Sequence, residues 1–192
     1  MSEHQEIEVK FLNIDKATIE NKLVEIGATK KGDIFYHSCV FDYPGFPLDK
    51  DAAWVRLRSD GDEVMLAYKH RLGVTSDSGD DDGMEEIEFK VGDFDKTKLF
   101  LQKIGMIIKF EQEKKRTRYV KDNVEFDIDT WPRLKTYLEI ESDNIESIKK
   151  SAESLGLDFN EAKMFSTTQI YEMEGINDKD YIKMGFDEFI ER

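Results

Sequence analysis

Apolar and polar residues alternate with period two in a series of short stretches along the chain. In Glu6-Ile7-Glu8-Val9-Lys10, Ile7 and Val9 fall on one face of an extended strand, and Glu6, Glu8 and Lys10 on the other. Trp54 to Arg58 sets Val55 and Leu57 against Arg56 and Arg58. Val64 to Arg71 returns with Lys69 and Arg71 on a shared face. Lys109 to Tyr119 carries Lys114, Arg116 and Arg118 together, and Val124 to Asp129 sets Val124, Phe126 and Ile128 against Glu125, Asp127 and Asp129. Ile34 to Asp42 and Tyr137 to Glu141 complete the predicted strands. Turn chemistry separates them at Tyr43-Pro44-Gly45-Phe46-Pro47, Ser59-Asp60-Gly61-Asp62 and Asp122-Asn123, and Trp131-Pro132 breaks a strand.

Three stretches have helical spacing instead. Ile19, Leu23 and Ile26 follow a candidate N-cap at Asp15 and stop at Gly27; a second run extends from Asp95-Lys96 to Ile104-Gly105; a third from Ile145 to Leu155-Gly156 keeps Ile145, Ile148, Ala152 and Leu155 in register. Ser166 to Met173 is expected to be a last short strand or turn, and the amphipathic tail 177–192 a small helix. Strand and helix also recur as a unit. Glu86-Ile87-Glu88-Phe89-Lys90 nearly copies the first strand at the same offset from a helix, and Glu139-Ile140-Glu141 is a looser third copy. The recurrence predicts a two-halved architecture with an additional strand–helix unit.

Apolar faces on both strands and helices call for mutual burial. If the helices cover the apolar side of a curled antiparallel sheet, its charged side faces inwards; the alternative is a flat sheet with one solvated charged face, and alternation alone does not separate the two. An enclosed charged face must be paired or liganded. Clustered carboxylates invite a hard divalent cation, and clustered Arg and Lys invite a polyanion.

Composition narrows the function. A hydrophobic share of 39% with 13 Phe supports a real core in 192 residues, read as a single domain with a core over about 6–172 and a tail, 173–192, without assigned role. The net charge of −14 argues against general nucleic-acid or anionic-membrane binding. No apolar run approaches the roughly 20 residues that span a bilayer, the first residues do not read as a signal peptide, and a single cysteine, Cys39, fits a cytoplasmic protein without a disulfide or a Cys-based metal site. The three histidines are scattered, and the Gly/Ser/Asp stretch 73–83 reads as a solvated loop.

The ordered set of motifs resembles the CYTH proteins, or triphosphate tunnel metalloenzymes. The Glu-Ile-Glu-Val-Lys strand is followed in order by Val55-Arg56-Leu57-Arg58, Lys69, Glu86-Ile87-Glu88, Lys114-Lys115-Arg116, Asp129 before Trp131-Pro132, and Tyr137-Leu138-Glu139-Ile140-Glu141. The resemblance implies an α+β fold: a closed antiparallel eight-stranded β-barrel enclosing a charged tunnel, with helices packed outside. It implies metal ligation by Glu6, Glu8, Asp129, Glu139 and Glu141, with Mg²⁺ or Mn²⁺ as cofactor. Triphosphate binding falls to Lys10, Arg56, Arg58, Lys69, Lys114 and Arg116, with Glu88 beside them; Lys90 and Arg118 join from the alternation. Glu6, Glu8, Lys10, Lys69 and Arg116 are the expected catalytic set. Where relatives often carry an Asp and a Tyr, this chain has Ser38 and Val40. The implied activity is hydrolysis of a small triphosphate. The alternatives are a class IV adenylyl cyclase, which shares the tunnel chemistry, and a non-catalytic polyphosphate- or nucleotide-binding module. A homodimer is left open.

Overall fold

In the computed structural model, which describes residues 7–72 and 84–192, the alternating stretches are strands and the three stretches of helical spacing are helices. In chain order the elements are β1 (Ile7–Phe11), α1 (Lys16–Glu25), β2 (Thr29–Asp42), α2 (Pro47–Lys50), β3 (Ala53–Ser59), β4 (Val64–Arg71), β5 (Met84–Val91), α3 (Phe94–Lys103), β6 (Ile107–Lys121), β7 (Val124–Thr130), β8 (Tyr137–Ser142), α4 (Ile145–Ser154), α5 (Thr167–Met173), β9 (Tyr181–Met184) and β10 (Phe189–Glu191). Glu6 and the loop 73–83 lie outside the described residues.

The repeated helices share their capping. Asp15, Asp93 and Asn144 each accept a first-turn backbone N–H, from Thr18, Lys96 and Glu146. The second cap is Asp93, two residues before Asp95, where the helical run was expected to begin. Each helix ends on a glycine with positive φ (Gly27, Gly105, Gly156), a conformation that a side chain would strain. The turn between β6 and β7 is the two-residue Asp122-Asn123, with φ of 48° and 62°, the mirror-image turn that suits the twist of an antiparallel pair.

The hydrogen-bonding order is β1-β8-β7-β6-β2-β3-β4-β5; β1–β8, β8–β7, β7–β6, β2–β3, β3–β4 and β4–β5 are antiparallel, and β9 runs parallel to β6. This is a large α+β sheet with two ends. It is open among the described residues, so the expected closed barrel is not what the pairing shows.

The chain divides into two compact units, residues 1–34 with 114–178, and residues 35–113 with 179–192. In the first, α1 and α4 cover the apolar face of β1, β8 and β7. Val9, Phe11, Phe126, Ile128, Leu138 and Ile140 are buried against Ile19, Leu23, Ile148 and Ala152. In the second, Cys39, Phe41 and Leu57 pack on Leu101 of α3 and on Met106. The repeat is imperfect here. Val9 is buried, but Ile87 and Phe89 at the matching positions of β5 stay more than half exposed, because α3 packs over β2 and β3 while β5 ends the strand order.

Three expectations are corrected. The stretch from Ser166 to Met173 is not a strand: Ser166 and Gln169 form a capping box that opens α5. The tail is not a helix: β9 and β10 form a hairpin, and β9 pairs with β6 at Glu111 and Gln112. Strand β2 begins at Thr29 rather than Ile34; its polar start is tied down by Asp33, which accepts the Thr117 hydroxyl hydrogen bond at 2.6 Å. No helix among the described residues is long and apolar enough to cross a membrane.

Asp42, buried at the end of β2, accepts backbone N–H bonds from Tyr43, Leu48 and Asp49 at 2.7, 3.1 and 2.9 Å and so caps α2. Asp42→Ala is expected to cost about 1–2 kcal/mol in urea denaturation, and Asp42→Asn less.

Candidate functional site

Directly opposed residues of an antiparallel ladder share a face, so register assigns the charged side chains. In the first unit Lys10 lies opposite Glu139, Glu139 opposite Asp127, and Asp127 opposite Arg118. Glu8 lies opposite Glu141 and Glu141 opposite Glu125, and Arg116 is opposite Asp129. All of them occupy one face, with Val9, Ile140 and Phe126 on the other.

Arg116 is the hub of that face. Its Nε and Nη2 donate to the two Asp129 oxygens at 2.7 and 2.6 Å, Nη2 also donates to Glu139 Oε1 at 2.9 Å, and Nη1 pairs with Asp127. Arg118 forks onto Asp127 at 2.8 and 2.6 Å and reaches Glu125 at 2.9 Å. Lys10, 3% exposed, holds Glu8 at 2.6 Å and Glu139 at 3.0 Å. Lys114 Nζ is 3.1 Å from Asp129 and 5.3 Å from the centre of the Trp131 ring, whose Nε1–H donates to the Tyr137 hydroxyl.

Burial opposes these charges, and pairing decides most outcomes. For Lys10 burial acts downward, but Glu139 and Glu8 outweigh it and hold the ammonium above its ordinary value. Burial likewise works against Arg116, and the Asp129 hydrogen bonds overcome it. Asp129 would be raised by burial, yet Arg116 and Lys114 keep it below the usual carboxylate range. Lys114 is the exception: burial, aided by Arg116, lowers it despite Asp129.

Oxygen atoms of Glu8, Glu139 and Glu141 come within 4.8 Å of one another, as do those of Glu125, Asp127 and Glu141. All-oxygen sets of this kind suit a hard divalent cation. Asp129 joins neither trio; its oxygens are occupied by Arg116 and Lys114. Glu125 and Asp127 were not expected as ligands. Their signal was the alternation that set them beside Asp129; adjacence to Trp131-Pro132 selected Asp129 instead.

The second unit carries the other cations. Ser38, Arg58, Met65 and Lys90 form one cross-strand row; Val40, Arg56, Ala67 and Glu88 a second; Trp54, Lys69 and Glu86 a third. Lys69 holds Glu86 at 2.8 Å. Lys90 shares the face by register, but its exposed ammonium pairs with Glu63. Arg56 and Arg58 share one carboxylate oxygen, Glu88 Oε2, at 3.5 and 3.9 Å, beyond good hydrogen-bonding distance. Arg58 also stands over the Tyr36 ring at 5.2 Å. Among the described residues Arg56 Nε is buried with no hydrogen-bond partner, and burial followed by Arg58 lowers the guanidinium below its ordinary value. Among the described residues, two of the expected cations are therefore held close around one carboxylate within 4 Å, with Glu86 acting on Arg56 from further off.

The CYTH domain family matches residues 4–172. No curated protein is a significant match. Among solved structures, a Pyrococcus horikoshii protein is 24% identical with a TM-score of 0.63, over 86% of this chain and 99% of its own. A Vibrio parahaemolyticus protein described as a candidate adenylate cyclase is 14% identical with a TM-score of 0.65, over 87% and 97%. A Hippeastrum protein described as a candidate adenylyl cyclase with a dominant triphosphatase activity is 13% identical with a TM-score of 0.60, over 88% and 96%. At these identities the likeness is one of fold.

Proposed function

Because the chain belongs to the CYTH domain family, we propose that it is a divalent-metal-dependent triphosphatase acting on inorganic triphosphate or a small organic triphosphate. The closed barrel with its tunnel is part of this proposal. The observation that carries it is the Arg56–Arg58 pair, which among the described residues has one shared carboxylate within 4 Å and a buried Nε without a hydrogen-bond partner. A phosphate chain supplies the acceptor oxygens that this pair lacks, and guanidinium forks fit them.

Arg56, Arg58 and Lys69 bind and orient the polyphosphate, with Lys10, Lys114, Arg116 and Arg118 as further cations whose charge the neighbouring acids temper. Glu8, Glu139 and Glu141, joined by Glu6, hold Mg²⁺ or Mn²⁺; when bound, the cation neutralises charge on phosphate oxygens. A carboxylate of the same group orients the attacking water. Catalysis is then mostly positioning and electrostatic stabilisation. Trp54, on the same face as Lys69, favours a substrate with an aromatic group and keeps the cyclase as a second reading.

The test is incubation with Mg²⁺ or Mn²⁺ and, separately, tripolyphosphate, ATP and thiamine triphosphate, with assays for phosphate, pyrophosphate and cyclic AMP. Phosphate release is expected, reduced about 100-fold or more by Glu8→Gln. Cyclic AMP with pyrophosphate would establish the cyclase, and saturable binding without product the binding module.

A further inference from the structure

The apolar face of the second unit contains a polar cluster that triphosphate chemistry leaves unused. Cys39 lies opposite Leu57 in the β2–β3 ladder, on the face away from Arg56 and Arg58, and is fully buried in the core under α3. Two residues earlier on the same face, His37 stacks on Phe94 with ring centres 4.7 Å apart. Glu111 of β6 meets both: its Oε1 is 2.9 Å from His37 Nε2, and its Oε2 accepts from Cys39 Sγ at 3.3 Å. Lys98 of α3 donates to the same Oε2 at 2.6 Å.

We propose that His37, Cys39 and Glu111 form a second metal site, for a borderline cation of the zinc class. One nitrogen, one sulfur and one oxygen atom already lie within 4.8 Å of one another, held from two strands. This donor set differs in kind from the all-oxygen trios, which suit Mg²⁺ or Mn²⁺. On binding, the Cys39 thiol gives up its proton to solvent and the sulfur becomes a thiolate ligand. His37 carries its proton on Nδ1 and offers the Nε2 lone pair. Glu111 ligates through one oxygen while Lys98 keeps hold of the other, fixing the carboxylate from behind. Thiolate and carboxylate together match a divalent charge. His37 and Glu111 remain partly exposed, so an ion can enter and a water can complete a tetrahedron.

Cobalt(II), titrated into the reduced, metal-free full chain, reads the site directly, because only a thiolate ligand gives sulfur-to-cobalt charge transfer in the near ultraviolet. One equivalent is expected to produce that band, and stoichiometric zinc to remove it. Cys39→Ser abolishes the band. His37→Gln, at a half-exposed position, weakens cobalt binding at least about tenfold. Glu8→Gln leaves the band in place. Absence of the band in the unaltered protein, an unchanged cobalt affinity in His37→Gln, or loss of the band in Glu8→Gln would each overturn the proposal. The site is independent of whether the chain hydrolyses triphosphates.

Discussion

Arg116→Met is expected to destabilise the protein by about 3–5 kcal/mol at neutral pH, the usual cost of removing one partner from a buried ionic network. The guanidinium is the shared partner of Asp127, Asp129 and Glu139, whose side chains are 1%, 1% and 8% exposed. Lys10, Lys114 and Arg118 remain, but two ammonium groups and one fork, each on a different acid, cannot replace the contacts Arg116 makes to all three. Methionine restores volume, so the loss reports charge rather than a cavity. The pH dependence separates the two causes. In the unaltered protein Asp129 sits below the ordinary carboxylate range, so its contribution is present above that range and is lost as pH falls through its folded value. In the variant Asp129 loses the Arg116 hydrogen bonds that oppose its burial, so it takes up a proton more readily than in the unfolded chain, and its penalty is largest at neutral pH and shrinks on acidification. Urea denaturation at pH 7 and pH 5 should show the gap between the proteins narrowing at the lower pH. An equal gap at both values would mean that packing, not charge, was lost.

Arg58→Ala is expected to show the opposite division of effects. Its nearest carboxylate among the described residues is 3.9 Å away and is already claimed by Arg56, so little stability depends on it; its removal also relieves Arg56 of a like charge. Unfolding should change by no more than about 1 kcal/mol. If the pair receives a phosphate chain, kcat/KM for tripolyphosphate should fall about 100-fold or more. Binding without turnover, in the presence of a chelator, gives a second readout. Tripolyphosphate at about 100 times its dissociation constant should stabilise the unaltered protein by about 2.7 kcal/mol, and most of that gain should vanish in the variant at the same concentration. A variant that keeps both the rate and the ligand-induced stabilisation would remove Arg58 from the site.

Period-two patterning in the sequence placed Arg56, Arg58, Arg116 and Glu139 on the correct face because each strand has one apolar side to bury, and a one-residue slip would expose it. The Asp15 cap and the three glycine stops were legible for a similarly local reason, whereas the caps Asp93 and Asn144 were not singled out. What depends on distant partners was not. Nothing in Ile87 and Phe89 distinguishes them from Ile7 and Val9; their exposure follows from the end position of β5. The tail forms strands because β6 offers it an edge, and α5, seven residues long, is too short to show a helical period, so its local signal was the Ser166–Gln169 capping box. Asp127 and Asp129 look alike in the sequence, and only the guanidinium contacts separate them. His37 and Glu111 are 74 residues apart, so a lone cysteine with scattered histidines gave no hint of a shared cluster.

Both long strands, β2 and β6, pass from one compact unit into the other. During synthesis β1 therefore emerges roughly 130 residues before its partner β8, and its backbone ladder must wait for most of the protein to be made, with α1 alone at hand to cover its apolar side. No single proteolytic cut releases either half as one continuous piece, and because residues 179–192 belong to the second unit, no circular permutation makes the first unit one continuous run either.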